Sequence, residues 1–570
     1  MPTGSTKQRA RKRAAQTKQA SVVRDGAASN MTSSDRGASA WADDDGHIIS
    51  ERVWLWASVA VVVAAALLRL YALELKPLHH DEGVNGFFLT RLVREGVYQY
   101  DPANYHGPTL YYFALVPAAL LEKFLKTGMT TFAIRLVPVL FGLGTVCLAL
   151  SLRRHIGALG ALAAAALIAL SPGAVYNSRY FIHESLFVFF TLGIVVAALR
   201  YYETTEVAYL FLAVISAALM FATKETAFIS LGVLVLAMCV AWAIARFGRR
   251  PHAARHDAAV AGRPTAQLAR LGGAKHVALL LVASVALFVL VNVLFYSSFF
   301  RYAKGVDGAI ETFKIWTQTG TSDFHKKPWE TYIQWLWQEE APIFALAILG
   351  ATWAVFERAK NGRAIFFAAW AFGILAAYSL VPYKTPWLAL NFIVPMAIAG
   401  GYGVERWARW ATDERKVFGG GELKKVMPLV VAVSVAALFC LSLYQTVVLN
   451  FQQYDNDQYI YVYAHTKREF LQLMSEVERL AARAGTGKET KIAVASPDYW
   501  PLPWYLRDYK HTGFFGQINA FTEPIVIGNQ SQDAQLSTTL AGRYRRVGEY
   551  PLRPGVSLVL YAQSDLAAQR

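Results

Sequence analysis

Charge is scarce in this sequence and cysteine almost absent. Charged residues fill 17% of its 570 positions against 55% for hydrophobic ones, and the mean hydropathy is +0.30. A chain so poor in charge cannot clothe a soluble globule of this size. That excludes an ordinary soluble enzyme and puts membrane proteins first. The three cysteines, Cys147, Cys239 and Cys440, each stand inside an apolar run with neither disulfide nor zinc-ligand spacing. They read as small buried hydrophobes. A phosphate-binding P-loop is missing, which argues against a nucleotide-driven pump. An internal repeat is missing too, which argues more weakly against a secondary transporter. The charge that is present has a bias, with 56 Lys and Arg against 40 Asp and Glu, a formal net charge of +16. On one soluble face that excess would suggest nucleic acid. Here the basic residues gather at the N-terminus and in a few loops between apolar runs, as in the cytosolic loops of membrane proteins. Nucleic acid is therefore not an expected partner.

Residues 1–50 are polar and, at the start (KQRARKR), basic, with no hydrophobic periodicity. They read as a disordered cytosolic tail touching anionic head groups. They do not read as a signal peptide, because the first apolar run lies deep and lacks a small-residue cleavage site. That run, Val53 to about Tyr71, is long enough to cross a bilayer at roughly 20 residues per span. Its basic flank puts its start in the cytosol and its end outside. The stretch 74–131 is too polar to span and forms the first outer loop. Within it, GVNGFFLTRLVREG and LYYFALVPAALLEKFL have the helical spacing of helices lying flat in the interface.

Further spans are expected at about 132–152, 158–172, 181–200, 206–222, 226–246, 276–296, 341–357, 364–382, 386–403 and 426–447, about eleven in all. The loops holding Arg153-Arg154, Arg246 to Lys275, Glu357 to Arg363 and Val404 to Lys425 then fall in the cytosol, where the positive-inside rule wants them. The same alternation places Ser171–Tyr180, Thr223–Thr226, Ser297–Glu340 and Pro382–Pro386 outside. The transmembrane domain so defined covers 51–450. Residues 451–570 differ in kind, with a helix signal in TKREFLQLMSEVERLAARAG and strand signals at Lys491–Ala495, Glu523–Ile527 and Val556–Tyr561. They read as a small extracytoplasmic α/β domain.

The densest chemistry lies in Leu78-His79-His80-Asp81-Glu82-Gly83, just after the first apolar run. Charge so concentrated beside a membrane must face water, a partner or a substrate; the plain alternative is a solvated turn capping a helix. Expected on the same side are Glu184 in Arg179-Tyr180-Phe181-Ile182-His183-Glu184, Lys224-Glu225, and Tyr383-Lys384-Thr385-Pro386-Trp387. For Glu184 the plain alternative is a salt bridge with Arg179, and for Lys224 a lysine snorkelling at the interface. Lys384 and its aromatic neighbours suit interfacial anchoring. The aromatics of Trp500-Pro501-Leu502-Pro503-Trp504-Tyr505 suit stacking on sugar faces, domain packing or docking to the membrane surface.

In order and spacing, these segments resemble GT-C glycosyltransferases of the dolichyl-phosphate-mannose protein mannosyltransferase type, which include the lipid A aminoarabinose transferases. HHDEGVNGFF matches the acidic first-loop motif and YHGPTLYYF the proline-aromatic segment. RLVPVLFGLGTVCLALSLRRHIG matches the second span, and SPGAVYNSRYFIHESLFVFF the segment with a second acidic residue. The tail element DYWPLPWYLRDY is similar to a narrower prokaryotic branch, the flippase-activity-associated membrane proteins of glycosylation gene clusters. The resemblance implies an α-helical polytopic GT-C-like fold in the cytoplasmic membrane. It implies inverting transfer of a sugar from a polyprenyl-phosphate donor to a glycan, lipid or protein acceptor at the outer leaflet.

It further implies Asp81 as the base, with Glu82 sharing or tuning that role because adjacent carboxylates resist simultaneous ionisation. Glu184 and His183 would form the acceptor or second acidic site, and Lys224 would meet the donor phosphate. Where the aminoarabinose transferases carry Lys-Pro, this chain has Gly107-Pro108, which leaves His106 and Arg179 as the nearest basic substitutes. Some GT-C enzymes hold a divalent metal, for which His79, His80 and Asp81 are candidates; the lipid-monophosphate branch generally works without one. The competing reading is a non-catalytic membrane protein that assists translocation or assembly of lipid-linked glycans.

Overall fold

The computed structural model describes residues 48–104, 106–126, 128–247, 272–320, 325–357, 362–412 and 422–568. The basic tail, up to residue 47, and the centres of three loops expected in the cytosol (248–271, 358–361 and 413–421) lie outside the described residues.

A chain that crosses a bilayer must satisfy every backbone polar group internally, so each apolar run becomes a helix. Among the described residues, eight helices are long and apolar enough to span alone. Two bent pairs bring the number to ten: Ala158–Leu170 with Pro172–Ser178, bent by 61°, and Thr331–Glu339 with Ala341–Glu357, bent by 111°. The shorter apolar helix Val207–Phe221 occupies the remaining expected position. The protein is a helical polytopic membrane protein.

The two breaks meet. Ser171 caps the short helix by accepting from the Ala174 N–H at 3.0 Å, and Pro172 follows at its first turn, where a missing N–H costs nothing. From the other break, the buried Glu340 carboxylate accepts from Ser171 Oγ and from the Gly173 N–H, both at 2.8 Å. Each bend thus supplies what the other leaves unsatisfied.

The innermost helix is Leu390–Thr412, packed by Ala158–Leu170, Ala341–Glu357 and Gly362–Leu380. Small residues let these backbones approach, as membrane helices require when lipid offers no hydrophobic drive. A Cβ on Gly350 would strike the Ala399 carbonyl, for example. The helix Ala274–Tyr296 is peripheral instead, with Leu281 64% and Val282 66% exposed towards what would be lipid. Cys147, Cys239 and Cys440 lie on such outer faces, exposed and unpaired, rather than in the core. An apolar run does not distinguish core from lipid, since both are apolar solvents.

The C-terminal domain is a five-stranded mixed sheet. Strand β1 (Ile492–Val494) runs parallel to β2 (Thr512–Phe514) and to β3 (Ile525–Asn529). Strand β5 (Val556–Gln563) pairs antiparallel with β3 and with β4 (Tyr544–Arg553), giving the order β2-β1-β3-β5-β4. The helix Phe470–Arg483 buries Phe470, Leu473, Val477 and Leu480 on one face against Ile492, Ile525 and Leu558. The three expected strands and the helix are present. The edge strands β2 and β4 gave no sequence signal. One has three residues; the other carries Pro551 and two register shifts, as edges often do.

This domain is clamped to the helix His80–Glu95. Trp504, 1% exposed, fills the notch left by Gly86, where a Cβ would strike its ring, and Pro501 fits against Gly83 in the same way. The Leu78 N–H donates to the Tyr505 hydroxyl at 2.9 Å, and Arg507 donates to the Met129 carbonyl at 3.0 Å. Of the alternatives open to this aromatic segment, Trp504 and Tyr505 take domain packing. Trp504→Ala should cost about 3–5 kcal/mol of docking and packing energy. We expect faster tryptic cleavage at Lys467 and Arg468, where the chain enters the domain; a cleavage rate equal to the parent's would contradict the clamp.

Candidate active site

The site begins as a helix start. His79 is the N-cap of His80–Glu95: its Nδ1 accepts from the Asp81 N–H at 3.0 Å, while Glu82 Oε2 accepts from the His79 N–H at 3.0 Å. This is a reciprocal capping box. His79 Nε2 lies 3.1 Å from the Tyr463 carbonyl, which can only accept, so the ring carries its proton there. Burial lowers its affinity for a second proton. With one nitrogen donating and the other already accepting, His79 has no lone pair left for a metal. Among the described residues no group of three or more His, Cys, Asp or Glu side chains is arranged to hold one.

Glu82 and Asp81 are adjacent in sequence and opposite in circumstance. Glu82 is fully buried and bound by Arg135, whose Nε and Nη2 donate to its two oxygens at 2.8 and 2.7 Å. It also accepts from the Phe181 N–H at 2.8 Å. Burial alone would raise its pKa, but Arg135 outweighs that and holds the carboxyl below the usual range. The geometry makes Glu82 a positioning group. Asp81 keeps its side chain 38% exposed, with the neutral His79 ring 3.8 Å away.

A second set of loops comes together nearby. The segment His106–Thr109 lies along Ala222–Lys224: the Gly107 N–H donates to the Thr223 carbonyl at 3.1 Å and Thr109 Oγ1 to Thr223 Oγ1 at 2.8 Å. This contact explains the glycine at 107, since any Cβ there would run into the Ala222 carbonyl. Gly107→Lys should therefore overpack the contact and cost about 1–3 kcal/mol, read as a lower thermal midpoint of the solubilised protein. An unchanged midpoint would mean that the loops are not in this register.

Lys224 and Glu184, both buried, form an ion pair at 2.5 Å. Burial would lower the Lys224 pKa, but Glu184 and Glu225 raise it above the ordinary value. Glu225 in turn faces His106 at 3.4 Å. His183 Nε2 donates to the Gly107 carbonyl at 3.1 Å. Tyr383 lies on the turn that follows the helix Gly362–Leu380. Its hydroxyl, pushed up to about 12 chiefly by burial, feels the charges of Lys224, Asp81 and Glu184 at once.

Two expected contacts are absent. Arg179 does not pair with Glu184 or stand free for a phosphate: it is buried, and it donates to the carbonyls of Leu68, Arg69, Tyr71 and Ala72 at the end of the first span. These are carbonyls at and just past a helix end, where the helical ladder stops, and a guanidinium satisfies several together. Lys384 likewise turns inward, donating to the carbonyls of Ser379 and Val381 at the end of Gly362–Leu380. The residue that sequence reasoning missed is Arg135. Its signal was present, since an arginine inside an apolar span must have a partner.

Residues 106–262 match the sequence model of a family described as dolichyl-phosphate-mannose-protein mannosyltransferase. That stretch carries His106, His183, Glu184 and Lys224 and leaves Asp81 outside. No curated protein sequence matches the chain. The structure is similar to that of ArnT from Cupriavidus metallidurans bound to undecaprenyl phosphate, with TM-score 0.57 and 16% identity over 91% of this chain and 100% of that one. The fold is GT-C-like. A second similar structure, the oligosaccharyltransferase of Archaeoglobus fulgidus in its apo form, superposes with TM-score 0.53 and 12% identity over 91% of this chain and 77% of that one. At such identities the GT-C-like fold is shared and no single residue is carried across.

Proposed function

We propose that this protein is a membrane glycosyltransferase that moves a sugar from a polyprenyl-phosphate donor to an acceptor hydroxyl, with inversion. The observation that carries the proposal is the state of Asp81. Of four carboxylates in this neighbourhood, Glu82 is buried against Arg135, Glu184 against Lys224 and Glu225 beside His106, while Asp81 is 38% exposed with only the His79 ring near it, at 3.8 Å. Among these four it is the one an acceptor hydroxyl can reach. The acceptor oxygen attacks the anomeric carbon as its proton passes to Asp81. The bond from that carbon to the phosphate oxygen breaks, and the polyprenyl phosphate leaves as the anion. Lys224 is the cation that would steady this anion, with Glu184 holding it in place.

The match to the mannosyltransferase family over the Lys224 loop and the likeness to a fold that in ArnT holds undecaprenyl phosphate support this reading. The positive-inside pattern supports a place in the cytoplasmic membrane with this site outside. Kinship with the flippase-associated branch rests on the DYWPLPWYLRDY element alone. The test is incubation of the purified protein with radiolabelled dolichyl-phosphate mannose or an undecaprenyl-phosphate sugar and candidate acceptors. Label transfer that Asp81→Asn abolishes is the expected result. Translocation of a lipid-linked glycan that persists in Asp81→Asn, with transfer never seen, would establish the non-catalytic alternative instead.

A further inference from the structure

The aromatic segment of the C-terminal domain divides where it meets the helix His80–Glu95. Trp504 is buried in the clamp, whereas Tyr499 and Trp500 remain partly exposed. The Trp500 ring lies 6.0 Å from His80 and 6.0 Å from Phe87; Tyr499 is 5.5 Å from Trp500, and Phe514 of β2 is 5.2 Å from Tyr499. Phe87 and Phe514 are 39% and 37% exposed. The rings form an unbroken strip that starts at the residue next to Asp81 and ends at the edge of the sheet. Polar groups flank it. Asp498 pairs with Arg553 and accepts from Asn529 Nδ2, and both charged side chains stay partly accessible. Asp498 directly precedes Tyr499 in the chain, so this pair borders the strip.

We propose that this strip is the acceptor track and that the acceptor is an oligosaccharide. The inference rests on the transferase reading and adds to it the class of acceptor. Partly exposed rings in a row, tilted by 39° to 75° from one to the next, offer separate stacking surfaces to the C–H faces of successive sugars. The carboxylate, guanidinium and amide beside them offer fixed donors and acceptors to hydroxyl edges. A bilayer surface would call for a basic rim, but Asp498 cancels the charge of Arg553. The clamp gives the strip its reach. With Pro501 and Trp504 seated against Gly83 and Gly86, the track is fixed relative to Asp81, and the sugar nearest His80 presents its hydroxyl there.

Binding can be read without turnover. The solubilised full chain carrying Asp81→Asn would be titrated calorimetrically with mannotetraose, maltotetraose, cellotetraose and chitotetraose. We expect at least one to bind and Trp500→Ala and Tyr499→Ala each to weaken it by about 2- to 12-fold. Phe515→Ala is the control: Phe515 faces the other side of the sheet, where it packs against Phe521 at 5.7 Å, and should leave binding unchanged. Equal thermal midpoints would show that the variants fold. The track is refuted if no tetraose binds, if both strip variants bind as the parent does, or if these variants lose partition into anionic vesicles instead. Binding in a protein that never transfers sugar would sink the transferase reading and leave the strip standing; transfer with an unchanged acceptor KM in Trp500→Ala would do the reverse.

Discussion

Asp81→Asn is expected to lower sugar transfer by about 10²–10⁴-fold, the usual weight of a positioned general base. The substitution keeps the shape of the side chain and the backbone N–H that donates to His79, so the helix start survives. No neighbour can replace the lost base without breaking a pair: Glu82 would have to leave Arg135, and Glu184 would have to leave Lys224. The measurement is the initial rate from a labelled lipid-phosphate sugar at saturating donor, beside the thermal midpoint as a check on folding. A variant within tenfold of the parent rate would remove Asp81 from the chemistry.

The second large effect is on stability. Arg135→Ala should cost about 3–5 kcal/mol, the range for breaking a buried ion pair from one side. Arg135 is fully buried, and besides Glu82 it serves the carbonyls of Leu73, Lys76 and Pro77. Its removal takes from a buried carboxylate its ion-pair partner and unties the segment that carries Asp81, so activity and stability should fall together.

The pH dependence has a definite sign. In the parent, the folded-state pKa of Glu82 is depressed: burial raises it, but Arg135 more than offsets this. The stability contributed by the pair is therefore present above the unfolded carboxyl range and is lost as pH falls through the folded value. In Arg135→Ala the buried carboxyl has lost that cation, and its folded pKa should lie above the unfolded one. The stability difference between parent and variant should then be greatest near neutral pH and shrink towards about pH 4. A difference independent of pH would mean that Glu82 is not ionised in the parent.

Much of this was written in the sequence. Each apolar run of membrane length became a helix where it was expected, because lipid offers no other way to satisfy a backbone. HHDEG declared a helix start by its own local chemistry, since a cap and the residue three places on form their bonds without help from afar. The strands β1, β3 and β5 were legible as β-branched and aliphatic runs that end up buried. Edge strands were not, because a strand bonded on one side tolerates polar residues, proline and bulges.

Only the tertiary structure decided which charges meet. Glu184 pairs with Lys224, 40 residues on, rather than with Arg179 five residues before it. Glu82 takes Arg135, 53 residues on, and the Leu78 N–H just ahead of the helix His80–Glu95 donates to Tyr505, 427 residues away. Burial sets the strength of each such pair, and surfaces from several segments create that burial together. Gly107 and Gly86 likewise gain their meaning only from the backbone and the ring that press against them. Composition and period determined that the chain crosses a membrane and where its helices begin. The packing of distant loops buried Glu82, Glu184 and Glu225 against their partners and left Asp81 the open carboxylate among them.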